Sequence, residues 1–129
     1  NCDPSMLSAS MNGIDILGEV ESAIDTSALA WVSLNPVRAA AGMQNKVLTA
    51  LAANCHVVAT SISVEGMNIP DKFLKKVSIN SDSFANTAIL ALQNAKSSRD
   101  NSRRKYIQDN WSWDSLHSRW VSEFIGDRG

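Results

Sequence analysis

The residues best suited to hold a ligand lie between a strand-like segment and the helix pattern that follows it. Gly42 can adopt backbone conformations that let a ligand approach the main chain closely. The N–H groups at the start of the next helix favour a phosphate. Lys46 adds a positive charge suited to a diphosphate, although a surface lysine is the alternative. Taken alone, this pattern is weak evidence, because a glycine before a helix is common.

The elements that must position this loop alternate between strands and helices. Four short apolar segments have the length of strands: 14–17, 29–34, 56–60 and 76–79. A short helical turn is expected within 20–25, and helical spacing predicts an amphipathic helix over 47–52 that ends near Asn54. This alternation predicts an α/β fold with a mostly parallel sheet. Ligands of such sheets bind at the carboxyl ends of the strands, where the loop of Gly42 is expected to lie.

The rest of the chain is predicted to be helical. Asp82 is the expected N-cap of one helix. Its apolar face comprises Phe84, Ala88, Ala91, Leu92 and Ala95. A last helix is expected to begin at Ser112. It carries an apolar stripe, called here the tryptophan stripe, formed by Trp113, Leu116, Trp120 and Phe124.

The basic stretch 96–105 is predicted to be a solvated helical face. Its charged residues are Lys96, Arg99, Arg103, Arg104 and Lys105. The alternative is contact with an anionic membrane surface, as expected of an enzyme that handles lipid-linked acceptors. The first 37 residues contain no Lys or Arg, so the positive charge is segregated along the chain.

The composition is that of one globular domain. The chain has 129 residues, 44% of them hydrophobic and 19% charged, which is enough for a core and unlike a disordered protein. The net charge of −1 argues against a nucleic-acid binder. No apolar run approaches the length of a membrane span. Cys2 and Cys55 have neither the spacing of a zinc site nor that of a redox pair. Cys55 is predicted to be a small buried residue. A reducing cytoplasm is the expected location.

The wording of the central stretch carries a resemblance to a known family. Gly42-Met-Gln-Asn-Lys-Val-Leu is followed by Ala50-Leu-Ala, then by Val57-Val-Ala-Thr and Glu65-Gly66. These motifs resemble the retaining glycosyltransferases of the GT-B fold, family 4 type, in the branch whose signature reads G-[IM]-Q-N-K-V-L-E-A-M-A. The segments 13–20 and 111–114 resemble the strand before the signature and the start of the closing helix. The resemblance therefore covers nearly the whole chain.

The resemblance implies a Rossmann-like domain over residues 1–129, the C-terminal, donor-binding half of a GT-B enzyme, with 96–129 as C-terminal helices. Such a domain binds a nucleotide-diphosphate sugar, without a metal or other cofactor, for hexose transfer in polysaccharide or glycolipid biosynthesis. The implied location is the cytoplasm, with the inner face of the membrane as an alternative. The positions implied to bind the nucleotide sugar are Arg38, Gly42, Met43, Gln44, Asn45, Lys46, Thr49, Glu65 and Gly66.

Three positions depart from the family pattern. The general family has two glutamates eight positions apart, where this chain has Ala41 and Thr49. The branch resembled here commonly lacks the first but keeps the second, whose carboxylate accepts charge-assisted bonds from two ribose hydroxyls. Thr49 offers one hydroxyl and no charge, so donor affinity is expected to be weaker by about 1.5–3 kcal/mol. His56 stands where the family has a proline at the start of a strand, so a structural role is expected for it. The alternative is that His56 acts as a catalytic base.

The resemblance also leads us to expect two strands and an acceptor domain ahead of Asn1, in which case the isolated chain would not transfer sugar by itself. One interpretation is an enzyme completed by that domain. Another is a catalytically silent nucleotide-binding module completed by a separate acceptor subunit, and a third is an unrelated flavodoxin-like domain. Because a sheet without those strands has unpaired edges, self-association is expected, through strand exchange or through the tryptophan stripe.

Overall fold

One parallel sheet with helices on both faces forms the centre of the protein. The computed structural model describes residues 13–40, 42–95 and 100–124. The strands of these residues are β1 (Val32–Asn35), β2 (His56–Thr60) and β3 (Leu74–Val77). The helices are α1 (Ala23–Ala28), α2 (Asn45–Ala52), α3 (Ser81–Ala95), α4 (Ser102–Trp111) and α5 (Trp113–Phe124). The prediction of an α/β fold with a parallel sheet and flanking helices is confirmed at this level.

The strands lie side by side in chain order, β1-β2-β3. Val32 is opposite His56 in the first pair, and Val57 is opposite Leu74 in the second. The central strand β2 begins and ends as predicted, because its run of small and β-branched residues is buried on both faces. β1 begins later than predicted because the end of α1 occupies the preceding residues, where the Ala30 N–H donates to Ser27 O at 3.0 Å.

Two cores hold the helices to the sheet. On one face, α2 packs on β2, and α4 lies outside α2. The buried residues of this larger core are Val47, Ala50, Leu51, Ala53, Cys55, Val57, Ala59, Val64, Met67, Ile69, Phe73 and Leu74. On the other face, α3 crosses the strands and buries Ala91 against Val58 and Val77. The burial of Cys55 agrees with its interpretation as a small core residue, and its thiol donates to Ser27 O at 3.0 Å.

Four sequence-based assignments differ from the structure. The segment 14–17 is not a strand, and its side chains are exposed, because no described strand pairs with it. Asp82 does not cap α3; the side chain of Asn80 does, accepting from the N–H groups of Asp82 and Ser83 at 3.0 and 3.1 Å. Leu92, placed on the apolar face of α3, is exposed. The predicted strand 76–79 is displaced, since β3 begins at the buried Leu74 and ends at Val77.

The C-terminal helices follow the predicted pattern in part. Ser112 caps α5, accepting from the Ser115 N–H at 3.2 Å, as expected for the start of that helix. The tryptophan stripe is largely open to solvent, and Trp113 is 87% exposed. No helix of the described residues is long and apolar enough to cross a bilayer.

The basic stretch is only partly the solvated face that the sequence predicts. Arg104 and Lys105 are exposed, but Arg103 is buried, so the prediction is wrong for that residue. It packs at the end of the sheet where β2 begins, against the ring of His56. Lys96 and Arg99 lie outside the described residues.

Candidate functional site

A cavity of about 440 Å³ opens at the carboxyl end of the sheet. Three elements meet there: the loop between β1 and α2, the segment after β2, and the end of α4. We call it the Gly42 cavity. Its lining residues are Ala40, Gly42, Met43, Ile62, Glu65, Gly66, Met67 and Trp111. Four residues implied by the family resemblance, Gly42, Met43, Glu65 and Gly66, are therefore brought together from two separate motifs.

Two glycines shape this cavity through their backbone conformation. Gly42 has φ of +75° and Gly66 has φ of +77°, which lie in the left-handed region that favours glycine. A Cβ at either position would meet no heavy atom within 4 Å, so the restriction is torsional and the space is open. Each loop can therefore bring main-chain groups close to a ligand without an intervening side chain.

The start of α2 adds polar main-chain groups beside the same loop. Gln44 occupies the N-cap position, but its side chain makes no cap hydrogen bond. Instead its Nε2 donates weakly to Gly42 O at 3.4 Å. The first N–H groups of α2 are therefore left without a side-chain acceptor, the arrangement in which helix starts bind anions. The helix has eight residues, and the Val47 N–H donates to Gln44 O at 2.9 Å.

The cavity wall combines one acid with an apolar surface. Glu65 is the charged residue among those lining it. Its carboxylate suits the hydroxyl groups of a sugar or ribose, to which it can offer charge-assisted bonds. Met43, Ile62, Met67 and Trp111 form apolar walls of the kind on which a flat ring packs. Hydroxyl recognition and ring packing are thus available within one opening, and the start of α2 follows directly after its Gly42-Met43 segment.

Arg38 lies elsewhere. It lines a second cavity of about 370 Å³ on the α3 side of the sheet, called here the Arg38 groove. The groove is lined by Leu34, Pro36, Arg38, Thr60, Ile79, Ser81, Phe84, Ala85 and Ala88. Thr60 fixes the floor, because its hydroxyl donates to Val37 O at 2.6 Å. The structure therefore separates Arg38 from the other implied ligand contacts.

The remaining implied residues line neither cavity. Asn45 and Lys46 are exposed in the first turn of α2, and Gln44 is half-buried before it. Thr49 is half-buried one turn further along the helix. Lys46 thus follows the Gly42-Met43 segment in the sequence but does not form the wall of the Gly42 cavity. Ala41, which stands where the general family has its first glutamate, lies outside the described residues.

Trp111 lines the Gly42 cavity although the sequence does not predict it there, and Asn35 is a buried polar residue that lines neither cavity. Asn35 ends β1 at the carboxyl end of the sheet and is only 3% exposed, and neither polar atom of its side chain has a hydrogen-bond partner among the described residues. A polar residue at a strand end was the available signal. The sequence places Trp111 only at the start of a helix motif. It joins the cavity because α4 packs over α2 and brings its last residue beside Met67.

His56 and Arg103 form a separate polar contact at the amino end of the sheet, opposite to the Gly42 cavity. The Arg103 Nη2 lies 2.9 and 3.0 Å from the two ring nitrogens of His56. Arg103 is 6% exposed, and within the part of the chain that the structure describes its buried Nε and Nη1 have no acceptor. Burial lowers the pKa of its guanidinium, while the nearby Asp100 carboxylate opposes that shift. Since His56 begins β2 and the Gly42 cavity lies beyond the strand's other end, the geometry favours the structural role over a catalytic base.

No group of three or more His, Cys, Asp or Glu side chains within 13–40, 42–95 and 100–124 is arranged to hold a metal ion. No protein-family model matches the chain, and comparisons with curated proteins and with solved structures give no match either. The functional argument therefore depends on the cavity and on the motifs that line it.

Proposed function

We propose that the Gly42 cavity binds the nucleoside diphosphate of a nucleotide sugar, and that this chain is the donor-binding domain of a GT-B glycosyltransferase for polysaccharide or glycolipid biosynthesis. The observation that carries the proposal is the meeting of Gly42-Met43 and Glu65-Gly66 in one opening at the carboxyl end of a parallel sheet. The resemblance associates both motifs with the donor, although they are separated in the sequence.

Each part of the ligand has a matching group. The uncapped start of α2 and the exposed charge of Lys46 suit the phosphates. The Glu65 carboxylate suits vicinal hydroxyls of the ribose or the hexose. Trp111 and Met43 suit the flat face of a base or the apolar face of a sugar. Glu65 would repel a phosphate placed directly beside it, which orients the diphosphate toward α2 and the hydroxyls toward Glu65.

The second candidate function is a catalytically silent nucleotide-binding module that a separate acceptor subunit completes. Thr49 favours it, because the branch that the sequence resembles normally has a glutamate there to hold the ribose. A site that has lost this contact binds its donor more weakly, and weak binding suffices for a module without catalysis. The two candidates share the ligand and differ in the strength of its binding.

The binding site is tested by NMR titration of the chain with uridine diphosphate and, separately, guanosine diphosphate. The expected amide shifts fall within 38–49 and 63–67, with a change in the indole signal of Trp111. Glu65→Gln is expected to weaken the affinity for the nucleoside diphosphate about tenfold, because it removes a charge-assisted bond to a hydroxyl. Glu123→Gln, an exposed residue of α5, is the matched control and is expected to leave affinity unchanged.

Shifts that avoid both segments would rule out the Gly42 cavity as the nucleotide site. Equal affinity of the wild type and Glu65→Gln would remove Glu65 from hydroxyl recognition. Titration with inorganic diphosphate alone distinguishes a phosphate site from a nucleoside diphosphate site. The proposal requires the nucleotides to bind more tightly than diphosphate.

A further inference from the structure

β1 forms an open edge of the sheet. No other strand of the described residues pairs with its outer side. The His56 N–H donates to Trp31 O at 3.1 Å, so the main-chain carbonyl of Trp31 faces β2. Because main-chain groups alternate in direction along a strand, Ser33 also faces β2, while Val32 and Leu34 direct their N–H and C=O groups outward. Four main-chain hydrogen-bonding groups are thus presented along this edge.

The two edges of the sheet differ in their protection. At the far edge, β3 carries Lys75 and Lys76, both exposed, and Lys76 pairs with Asp71 at 3.6 Å. Lysines of this kind discourage a further strand from adding to an edge. β1 reads Val-Ser-Leu-Asn and carries no charge, so two such strands would not repel one another.

An apolar surface borders the same edge. A cavity of about 310 Å³ runs beside β1 and is lined by Trp31, Val32, Leu34, Ala88, Ile89 and Leu92. It shares Leu34 and Ala88 with the Arg38 groove, so the two form one continuous band. Leu34 is 53% exposed and Ile89 is 56% exposed. Apolar surface next to unpaired main chain is typical of an interface.

We propose that β1 pairs antiparallel with β1 of a second copy of this chain, joining two sheets into one of six strands. A two-fold axis perpendicular to the sheet keeps the α2 side of both copies on the same face. Residues that lie opposite each other in an antiparallel pair have their side chains on the same face of the sheet. The two-fold axis must therefore pass through one residue of β1, which lies opposite the same residue of the second copy, and cannot pass between two residues. Within the middle of β1, that position is Ser33 or Leu34.

Proline decides between the two registers. Centred on Leu34, the pairing sets Val32 opposite the partner's Pro36, which has no N–H to donate. Centred on Ser33, it sets Val32 opposite the partner's Leu34 and Leu34 opposite the partner's Val32. All four outward-facing groups of each strand then find partners, and the two Ser33 residues face each other as the close, non-hydrogen-bonded pair.

The tryptophan stripe is the more exposed of the two surfaces, but it offers no open strand edge, whereas β1 does. On α5, the rings of Trp120 and Phe124 already contact each other, with centroids 5.3 Å apart. Pairing through β1 satisfies main-chain groups and also covers Leu34 and its apolar neighbours on α3. The sheet edge is therefore the route of self-association, independently of whether the Gly42 cavity binds a nucleotide.

Sedimentation over a concentration series tests the interface. The wild type is expected to form a dimer, and Leu34→Lys to raise the dimer Kd about tenfold or more, because it places a charge on the pairing edge. Ile24→Lys, at an exposed apolar residue of α1, is the matched control. Trp120→Glu is expected to leave the dimer intact. A wild-type monomer at all concentrations, or a dimer that Trp120→Glu dissociates and Leu34→Lys does not, would overturn the proposal.

Cross-linking tests the register. In a Cys2→Ser background, Ser33→Cys is expected to form a disulfide-linked dimer under mild oxidation, since the paired Cα atoms come within disulfide range. Ser78→Cys, exposed beyond the protected edge of β3, is the control and should remain unlinked. Linking of Ser78→Cys to the same extent, or failure of Ser33→Cys to link in a dimeric sample, would contradict the Ser33-centred pairing.

Discussion

Asn35 closes β1 with a buried side chain whose amide has no partner in the described part of the chain. A buried polar group without a hydrogen bond costs stability. We expect Asn35→Val to raise the free energy of unfolding by about 1–2 kcal/mol. Asn35→Asp is expected to lower it, because a carboxylate would be buried without a cation. Urea denaturation of both variants measures the effect. Destabilisation by Asn35→Val would show that the amide makes a favourable contact in solution.

Thr49 allows the missing donor contact to be restored. Thr49→Glu is expected to tighten uridine diphosphate binding by about tenfold, because a carboxylate can accept two charge-assisted bonds from the ribose. Isothermal calorimetry measures the change. Thr49→Gln is the control that adds length without charge. Unchanged affinity for Thr49→Glu would show that the ribose does not lie beside this turn of α2.

Residue types revealed some of the candidate site but could not reveal all of it. Gly42 and Gly66 can be predicted from the sequence because their loops follow strands and the residues around them resemble a family motif. Trp111 could not be assigned to the cavity, since its place there depends on how α4 packs over α2. The predicted solvated face is wrong for Arg103 because a run of basic residues is usually exposed. Only the tertiary contact with His56 shows that one member of that run is buried.

The start of α4 depends on a charge just ahead of it. The Asp100 carboxylate accepts from the Ser102 hydroxyl at 2.6 Å and from its N–H at 3.2 Å. These bonds are the main reason that the pKa of Asp100 is lowered from its ordinary value of 3.8, and attraction to Arg103 and His56 adds to them. The stabilising contribution is thus fully present above pH 3.8 and is lost as the pH falls through the lowered value.

Asp100→Asn should therefore lower the urea midpoint near neutral pH, and the difference from the wild type should shrink as the pH falls below 3.8. Circular dichroism at several pH values measures both midpoints. Asp109→Asn, which removes an exposed charge within α4, is the control. A difference that stays constant down to acid pH would show that the carboxylate charge plays no part.

Elements were predictable where one local pattern determined them. The ends of β2 followed from an apolar run that is buried on both faces. The segment 14–17 has similar apolar content, but a strand also requires a neighbour to bond with, and the sequence cannot reveal whether one is present. The same holds for the helix caps: the prediction of Ser112 is confirmed, whereas the prediction of Asp82 in place of Asn80 is wrong because both residue types suit the position.

At the scale of the whole molecule, the proposed ligand site and the proposed interface occupy different surfaces. The Gly42 cavity lies on the α2 side, whereas the band beside β1 lies on the α3 side. We therefore expect Leu34→Lys to leave nucleotide affinity unchanged while it weakens the dimer. Calorimetry at concentrations above and below the dimer Kd measures this. A shift in affinity with the degree of association would show that the two surfaces are coupled.

The packing of α4 over α2 also affects how the protein is made. The sheet and α3 are complete by residue 95, but the partly buried Tyr106 and Ile107 that cover α2 come later. A chain emerging from the ribosome must therefore expose the outer side of α2 until α4 has been synthesised, which makes it prone to aggregation and to capture by chaperones. Trp111 belongs to that same late segment. A nascent chain that lacks this segment therefore cannot complete the wall of the Gly42 cavity. A ligand whose binding requires this wall would bind only to chains whose synthesis has passed Trp111.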